Sequence, residues 1–458
     1  MIRVFNRYVP SRALVLLLGE ILIFCGSFTL AVVLRSGVKS VGLISDVRTL
    51  SDIAGLTLLA LICSHYMELY DLSWLNSPSQ MYPRVLLLVG TLALVLAGLG
   101  SLFPQALLGR EVLLTGLCIL GVTWVLWRWA YGRIVFLPAL RQRVYVIGNG
   151  KRAQRIVEAI RTRAELGMDL AGWAGRIDDD TRTAQSTGAV LRDLCSRHNI
   201  DRVVVALSDR RSIMPVDELL QLRLSGVQIE DGTTLLEKIS GKIEVDDLRP
   251  SWLIFGEGFR LTGRYWFPRR TVSVLLALLL SLVTLPIIPL IALLIKLGSR
   301  GPVLYRQKRV GLKGVAFDCY KFRTMRPDAE ADSGATWALD DDPRITKVGR
   351  FLRRTRLDEI PQIWNVLRGD MAFVGPRPER PEFVSQLSEQ IPYYGLRHLA
   401  RPGITGWAQI NYGYGSSVEE AKEKLRYDLY YIRHISVLLD LVIVFYTIRA
   451  VIVGRGVR

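Results

Sequence analysis

Residues 271–297 read TVSVLLALLLSLVTLPIIPLIALLIKL and form the most apolar stretch of the chain. On hydropathy alone this stretch would cross a membrane, and everything after it would lie on the opposite side. However, Pro286 and Pro289 remove backbone donors from the middle of the helix. Basic residues flank both ends: Arg269, Arg270, Lys296 and Arg300. We therefore predict a re-entrant helical hairpin over residues 264–298 that enters and leaves on one side, with a kinked spanning helix as the alternative.

Four further apolar segments precede this stretch, at residues 13–34, 53–70, 85–108 and 112–130. The first is long enough to cross a hydrocarbon core of about 30 Å at about 1.5 Å per residue. A cleaved signal peptide is the alternative, but the internal Glu20 and the lack of an A-x-A site disfavour it. The second segment is the weakest, since it is short and carries His65 and Glu68. Residues 1–140 are predicted to form a bundle of four transmembrane helices.

The charges around these segments predict their orientation. Cations precede the first segment and follow the fourth: Arg3, Arg7, Arg12, Arg128, Arg133, Arg141 and Arg143. Because short basic flanks stay in the cytoplasm, both ends of the bundle should face it, which agrees with an even number of spans. The hairpin would then keep residues 299–458 on the cytoplasmic side.

The composition narrows the class of protein. The 458 residues are 50% hydrophobic, yet 59 Lys and Arg face 42 Asp and Glu, giving a net charge of +17. This combination indicates a membrane protein with anionic partners such as lipid headgroups or phosphorylated substrates. The five cysteines lack C-x-x-C spacing and the four histidines lack ligand spacing, so a disulfide scaffold and a zinc enzyme are disfavoured. The chain shows no nucleic-acid recognition motif, so we expect no nucleic-acid partner.

The pattern changes after the fourth apolar segment. RVYVIGNGKRAQRIVEAIRTR (143–163) reads as a strand, a G-x-G-x-x-A turn and an amphipathic helix. A second such unit follows, with LRDLCSRHNI as helix and DRVVVALS as strand, so residues 143–250 are predicted to form a Rossmann-like domain. Ala153 replaces the third glycine, and the nearest acidic candidate for a ribose is Asp178. The domain either binds a nucleotide or is degenerate and structural.

Candidate chemistry lies in DPRITKVGRFLRRTRLDEIPQIWNVLRGDMAFVGPRPERPEF, residues 342–383. Arginines surround one adjacent acidic pair, Asp358 and Glu359. Phosphoryl transfer needs such a set, because cations neutralise phosphate charge and a carboxylate can attack phosphorus. A solvated helix end is the alternative for the pair taken alone.

Five sequence motifs, which occur in a fixed order, favour the catalytic interpretation of this pair over the solvated helix end. GPVLYRQKRVG (301–311), FDCYKFRTM (317–325), LDEIPQIWNVLRGDMAFVGPRPE, RPGITGWAQ (401–409) and YDLYYI (427–432) follow one another. From residue 264 onward the chain resembles the bacterial polyprenyl-phosphate glycosyl-1-phosphate transferases, or monotopic phosphoglycosyl transferases, which start exopolysaccharide and O-antigen assembly. The N-terminal half is similar to the long form, in which four spans and a degenerate nucleotide fold come first. The C-terminal blocks are similar to the undecaprenyl-phosphate glucose or galactose phosphotransferase type.

The resemblance implies a role for each matching position. Asp358 would attack the sugar-linked phosphate of a UDP-sugar and release UMP, and undecaprenyl phosphate would then take the sugar phosphate from Asp358. Glu359, together with Asp358, would hold Mg²⁺. The basic residues expected at the phosphates are Lys321, Arg353 and Arg377.

Two further segments have implied roles. In RPGITGWAQ, the candidates for the nucleotide or a closing loop are Arg401, Gly403 and Gln409, while Trp407 is either part of that loop or an interfacial anchor. Pro286 matches the kink of the family's re-entrant hairpin, but Leu285 stands where short members have serine. We expect Thr284 or Ser281 to compensate by bonding a carbonyl one turn back.

The resemblance implies a bacterial inner-membrane enzyme with a mainly α-helical catalytic domain, residues 299–458, facing the cytoplasm. Its tail, ISVLLDLVIVFYTIRAVIVGRGVR, carries Asp440, Arg449 and Arg455 and is expected to lie along the interface. UDP-glucose or UDP-galactose is the first expectation for the donor, with N-acetylated sugars open, and a homodimer is compatible. One alternative is a non-catalytic membrane scaffold. The other, a membrane-bound nucleotide-sugar dehydratase or epimerase, lacks its Tyr-x-x-x-Lys pair.

Overall fold

The computed structural model divides the chain into two compact units. The first contains Met1–Arg3 and Tyr8–Leu235, and the second contains Val4–Arg7 and Leu236–Arg458. The residues that the structure describes are 2–4, 7–9, 11–37, 46–67, 69–70, 78–102, 109–135, 137, 141–148, 150–163, 166–173, 200–207, 214–248, 253, 258–259, 266–327, 329, 342–413 and 417–453. Two short strands, β1 (Ile2–Val4) and β2 (Arg7–Val9), pair at the start of the chain.

A bundle of four helices follows: α1 (Ser11–Ser36), α2 (Val47–Tyr66), α3 (Pro78–Leu102) and α4 (Arg110–Val135). Each helix contributes to one apolar core, for example through Phe24, Leu56, Leu92 and Trp124. Many other apolar side chains of these helices are exposed, such as Leu22, which suits contact with lipid tails.

Length and hydropathy mark this chain as a membrane protein. Among the described residues, four helical stretches are long and apolar enough to cross a bilayer: Arg12–Ser36, Val47–Tyr66, Arg110–Ile134 and Trp266–Thr284. The apolar part of α3, Val85–Gly98, is shorter.

The acidic residue inside the first span is buried and paired. Glu20 Oε1 lies 2.5 Å from Arg128 Nη2, and the Trp124 indole donates to the same oxygen at 2.9 Å. Ionisable groups are tolerated in a membrane when they face the protein interior and pair with one another. This pair therefore accounts for a charge within an otherwise apolar helix.

The rest of the first unit is built on a parallel four-stranded sheet. Its elements are β3 (Gln142–Ile147), α5 (Lys151–Thr162), β4 (Met168–Trp173), β5 (Arg202–Val205), α6 (Val216–Leu224) and β6 (Gln228–Asp231), and the strand order is β4-β3-β5-β6. The strand, turn and helix predicted from residues 143–163 are present. Gly148 makes the turn with φ +133, and a Cβ there would lie 2.7 Å from the Ala206 carbonyl oxygen. Nucleotide binding stays a prediction, because Asp178 and the helix predicted over 191–199 lie outside the described residues.

The next helix, α7 (Gly232–Ser240), contains the division between the two units. Its second half and the following residues, up to Leu248, group with the C-terminal unit. The domain limit of 250 predicted from the sequence lies outside the described residues and stays a prediction.

The second unit combines helices with two small sheets. Its elements after Leu248 are α8 (Trp266–Thr284), α9 (Ile288–Gly298), β7 (Leu304–Val310), β8 (Ala316–Phe322), α10 (Lys347–Arg354), α11 (Gln362–Arg368), β9 (Ala372–Val374), α12 (Pro381–Gln390), β10 (Gly403–Thr405), α13 (Trp407–Asn411), α14 (Val418–Arg433) and α15 (Val437–Val453). Strands β7 and β8 form an antiparallel hairpin, and β9 pairs with β10 in parallel.

The most apolar stretch is a broken helix. Helix α8 ends at Thr284, a turn spans residues 285–287, and α9 begins at Ile288. Ser281 donates to the Ala277 carbonyl and Thr284 donates to the Leu280 carbonyl, each at 2.8 Å. The expectation that these hydroxyls bond one turn back is confirmed.

Both arms of this broken helix pack on the same globular core. Ala277 of α8 and Ile295 of α9 belong to one buried cluster with Phe322 and Ile363. At the far ends of the arms, Arg270 donates to the Leu367 carbonyl at 2.8 Å. On the other arm, Arg323 donates to the Ser299 carbonyl at 2.9 Å.

The acidic residue of the C-terminal helix is also paired internally. Asp440 Oδ2 accepts from Arg269 Nε at 2.8 Å, and Asp440 Oδ1 accepts from the Tyr431 hydroxyl at 2.8 Å. Asp440 is 4% exposed. Its charge therefore joins α15 to the first turn of α8 and does not face the surroundings of the helix.

Candidate active site

A sharp reversal between two helices presents the acidic pair. Helix α10 is capped at its start by Thr346, whose hydroxyl accepts from Gly349 N at 2.9 Å. After this helix, Arg356 adopts a left-handed backbone with φ 57, and a single 3₁₀ turn contains Leu357–Glu359. Pro361 then precedes α11. The short turn leaves two consecutive carboxylates at the bend.

Glu359 is the centre of an ion-pair cluster. Its Oε1 lies 2.7 Å from Arg377 Nη2 and 3.1 Å from Lys321 Nζ. Arg356 Nη1 lies 3.8 Å from Oε2. Burial acts to raise the pKa of Glu359, but Arg377, Lys321 and Arg356 outweigh it and hold this pKa well below its usual range. These cations therefore favour the charged form of Glu359.

Asp358 differs from its neighbour. It is 8% exposed, and the structure records no hydrogen bond to its carboxylate from the residues that it describes. Burial raises its pKa above the usual value, Glu359 adds to this effect, and the cations Lys321, Arg353 and Arg377 oppose it. A buried carboxylate without a bonding partner in the described part of the chain is a candidate nucleophile.

Asp358 lines a cavity of about 520 Å³. This volume is in the usual range of about 300–1,000 Å³ for sites that bind small molecules. Eleven Arg and Lys residues line it, against three carboxylates, those of Asp358, Glu379 and Asp428. Some of these cations are held by protein groups, as when Arg344 pairs with Asp342 at 2.6 Å. The remaining excess of positive charge favours an anionic ligand.

The structure brings the predicted phosphate-binding residues together. Lys321 from β8, Arg353 from α10 and Arg377 from the segment after β9 line the same cavity as Asp358. Arg353 Nε donates to the Thr324 hydroxyl at 3.2 Å, which orients its guanidinium. Helix α10 lies close to the backbone of Thr324, since a Cβ on Gly349 would lie 2.0 Å from the Thr324 carbonyl oxygen.

Of the three predicted loop candidates Arg401, Gly403 and Gln409, the structure brings only Gln409 to the cavity wall, where its neighbour Ala408 also lies. The Arg401 guanidinium lies 4.7 Å from the centre of the Trp266 ring, and Gly403 is buried in β10. Trp407 is 4% exposed and its ring stacks on Tyr430 at 5.7 Å. It is therefore a core residue and not an exposed membrane anchor, and it does not itself line the cavity.

Sequence reasoning missed a buried pair behind the predicted phosphate-binding residues. Arg397 Nη2 lies 2.9 Å from Asp428 Oδ2 and also donates to the Arg377 carbonyl at 3.0 Å. Burial raises the pKa of Asp428 to about 6, against the opposing charge of Arg397. Asp428 lies in the YDLYYI block, so that motif was the available signal. Other lining residues that were missed are Arg309, Arg356, Tyr412 and Lys424.

A membrane protein in which one carboxylate of a buried pair, Asp358, lines a basic cavity has the features of the class of proteins that act on phosphorylated substrates. Comparison with known proteins identifies the family within this class. Residues 264–454 match the family described as bacterial sugar transferase, and the chain belongs to this family.

Individual relatives agree with this assignment. The UDP-glucose:undecaprenyl-phosphate glucose-1-phosphate transferase of Escherichia coli (strain K12) is 34% identical over 328 residues, which is 67% of each chain. The UDP-N-acetylgalactosamine-undecaprenyl-phosphate N-acetylgalactosaminephosphotransferase of Aeromonas hydrophila is 40% identical over 241 residues, 52% of this chain and 56% of that protein. The match thus spans just over half the length of the Aeromonas relative. The exopolysaccharide production protein PSS of Rhizobium leguminosarum bv. phaseoli is 42% identical over 185 residues, 39% of this chain and 92% of that protein.

Proposed function

We propose that this protein transfers a hexose 1-phosphate from a UDP-sugar to undecaprenyl phosphate and releases UMP. The observation that carries this proposal is the buried Asp358 carboxylate, which lines a basic cavity beside the ion-paired Glu359. The names of the relatives from Escherichia coli and Aeromonas hydrophila support undecaprenyl phosphate as acceptor.

The reaction proceeds in two displacements at one phosphorus. An Asp358 oxygen attacks the sugar-linked phosphorus, and the bond from this phosphorus to the bridging oxygen breaks, so UMP leaves with that oxygen. A phosphate oxygen of undecaprenyl phosphate then attacks the same phosphorus, and the bond to Asp358 breaks. The products are UMP and an undecaprenyl-diphosphate sugar, and Asp358 returns to its starting state.

The surrounding cations fit the charge that develops in both steps. Lys321, Arg353 and Arg377 come from three separate elements and line the wall around Asp358. Fixed cations that are already in place stabilise charge on phosphate oxygens without reorganising during the reaction. Because these cations also favour the ionised form of Asp358, they support a nucleophilic carboxylate despite its burial.

We propose that the two carboxylates at the bend would hold Mg²⁺. This ion typically binds one or two protein carboxylates and completes its shell with water and substrate phosphates. Asp358 and Glu359 provide such a pair. Among the described residues, no larger group of three or more His, Cys, Asp or Glu side chains is arranged to hold a metal. When bound, Mg²⁺ would neutralise charge on the diphosphate.

The test is UMP release by detergent-solubilised protein from a panel of UDP-sugars with Mg²⁺, with and without undecaprenyl phosphate. We expect multiple turnovers only with the lipid, and we propose UDP-glucose or UDP-galactose as the preferred donor. Activity with UDP-N-acetylgalactosamine alone would overturn that sugar assignment and agree with the Aeromonas relative. No UMP from any donor, with folded protein, would contradict the reaction and favour a non-catalytic scaffold.

We further propose that α8 and α9 form a re-entrant hairpin at the cytoplasmic face of the inner membrane. This is supported by the proline-containing break and by the packing of both arms on one core. A water-soluble UDP-sugar and a membrane-embedded lipid phosphate can both reach a site that lies at this face.

The topology can be checked with a tag placed after Arg458. Because a re-entrant hairpin returns the chain to its side of entry, we expect the tag to be labelled only from the cytoplasm. A second tag before Met1, predicted to lie on the same side, is the control. Labelling of the C-terminal tag from the periplasm alone would mean that residues 271–297 span the membrane.

A further inference from the structure

The compact unit that contains Asp358 begins before the region matched by the family. The family match begins at residue 264, whereas the main segment of the unit runs from Leu236 to Arg458. Within the described residues, Ile243, Val245 and Leu248 are buried in the same apolar cluster as Trp407. We name residues 236–248 the strap.

The strap is bound to one face of α14. Glu237 pairs through one oxygen with Arg433 at 2.6 Å and through the other with His434 at 2.7 Å. Lys242 pairs with Glu423 at 2.5 Å. The backbone N–H of Ile243, near the middle of the strap, donates to the Arg426 carbonyl at 3.0 Å. Positions 423, 426 and 433 are spaced by three and seven residues, so they share a helical face.

The same helix forms part of the cavity wall through other positions. Lys424 and Asp428 line the cavity, and Asp428 pairs with Arg397. Helix α14 therefore lies between the strap and the site. A shift of the strap would be passed to these two side chains, because packed helices move as rigid bodies.

A second contact links the strap to the cavity wall through Trp407. The Trp407 indole donates to the Gly241 carbonyl at 2.8 Å. Gly241 has φ +64, and a Cβ there would lie 3.4 Å from the Trp407 ring. The two residues that follow Trp407, Ala408 and Gln409, line the cavity. The glycine thus supplies the left-handed turn that directs its carbonyl to the Trp407 indole.

We infer that the strap is a positioning element for nucleotide-sugar binding, and that Trp407 and Gly241 are its positioning residues. They act on the wall formed by Ala408, Gln409, Lys424 and Asp428. The inference rests on the proposed function for its substrate, but the geometry of the wall can be measured without substrate.

The test compares two tryptophans that make the same kind of bond. Trp407→Phe keeps an aromatic ring and removes the donor to Gly241. Trp173→Phe is the matched control, since the Trp173 indole donates to the Gly148 carbonyl at 2.6 Å in the sheet of the first unit. We expect Trp407→Phe to raise the KM for the UDP-sugar about fivefold, in line with the loss of one hydrogen bond, with kcat changed less than about twofold. Trp173→Phe should leave both constants unchanged.

A glycine pair tests the strap independently. Gly241→Ala strains a left-handed residue whose carbonyl accepts the Trp407 indole hydrogen bond. Gly226→Ala is the control, because it strains a residue with φ +99 whose added Cβ would meet no atom within 4 Å among the described residues. We expect only Gly241→Ala to raise KM. An equal rise in both glycine variants, or an equal loss of kcat and kcat/KM in Trp407→Phe, would overturn the positioning role.

Hydrogen exchange separates this inference from the proposed function. The amides of Gln409 and Tyr412 bond to the carbonyls of Gly406 and Ala408 at 3.1 and 2.9 Å. We expect Trp407→Phe and Gly241→Ala to speed exchange in residues 406–413 by at least about threefold, with no change in the two controls. If wild-type protein releases no UMP, the proposed function fails. The exchange rates of residues 406–413 would still show whether the strap positions the cavity wall. Unchanged exchange in folded Trp407→Phe protein would overturn it.

Discussion

Asp358→Asn protein is expected to enter the membrane normally and to lose UMP release by at least about three orders of magnitude. An asparagine amide has no anionic oxygen to attack phosphorus, and the remaining cations cannot replace a nucleophile. The substitution keeps the size of the side chain. Because the structure records no hydrogen bond to Asp358 from the described residues, few contacts are lost, and we expect the melting temperature to stay within a few degrees.

The covalent step can be observed directly by mass spectrometry. Wild-type protein incubated with donor and Mg²⁺, without lipid, should gain the mass of one sugar phosphate, and Asp358→Asn protein should not. Asp318→Asn is the control, because Asp318 lies in the nearby β8 strand and pairs with Lys308 at 3.0 Å, without lining the cavity. It should keep activity within about twofold, since such surface pairs contribute little. Turnover by Asp358→Asn above about a tenth of wild type would contradict the nucleophile assignment.

Sequence reasoning was most successful where the signal is local. Apolar length located the helices of the bundle, and the two prolines located the break between Thr284 and Ile288. The hydroxyl bonds of Ser281 and Thr284 followed from spacing alone, because a side chain can reach only the carbonyl one turn back. Motif blocks named Asp358 and its three cations, which the fold then gathered around one cavity.

What the sequence could not show depends on contacts between distant residues. The pair of Arg397 and Asp428 joins positions 31 apart, and each residue alone looks like an ordinary surface charge. Arg401 precedes a glycine-containing loop and suggested ligand binding, yet its guanidinium stacks on Trp266. No local pattern distinguishes these outcomes, because burial and pairing are properties of the tertiary fold.

Glu359→Gln protein is expected to lose about two to three orders of magnitude in UMP release. The neutral amide removes one of the two charged oxygen donors that we assign to Mg²⁺. It also weakens the hold on Arg377 and Lys321, which lie 2.7 and 3.1 Å from Glu359. Because the pKa of Glu359 is held well below its usual range, wild-type protein keeps this charge throughout the pH range of the assay. The loss should therefore be seen at neutral pH.

The response to Mg²⁺ distinguishes two roles for Glu359. If the carboxylate helps to hold the ion, the Mg²⁺ concentration for half-maximal activity should rise at least about tenfold in Glu359→Gln protein, and excess Mg²⁺ should restore part of the rate. If Glu359 serves only as the counter-ion of Lys321 and Arg377, the activity would fall without a shift in the Mg²⁺ dependence. Glu382→Gln is the control, because Glu382 is exposed and pairs with Arg380 at 3.5 Å, so both its rate and its Mg²⁺ dependence should match wild type. An unshifted Mg²⁺ dependence in Glu359→Gln protein would show that Glu359 does not bind the metal. Its ion pairs with Lys321 and Arg377 would then account for its burial.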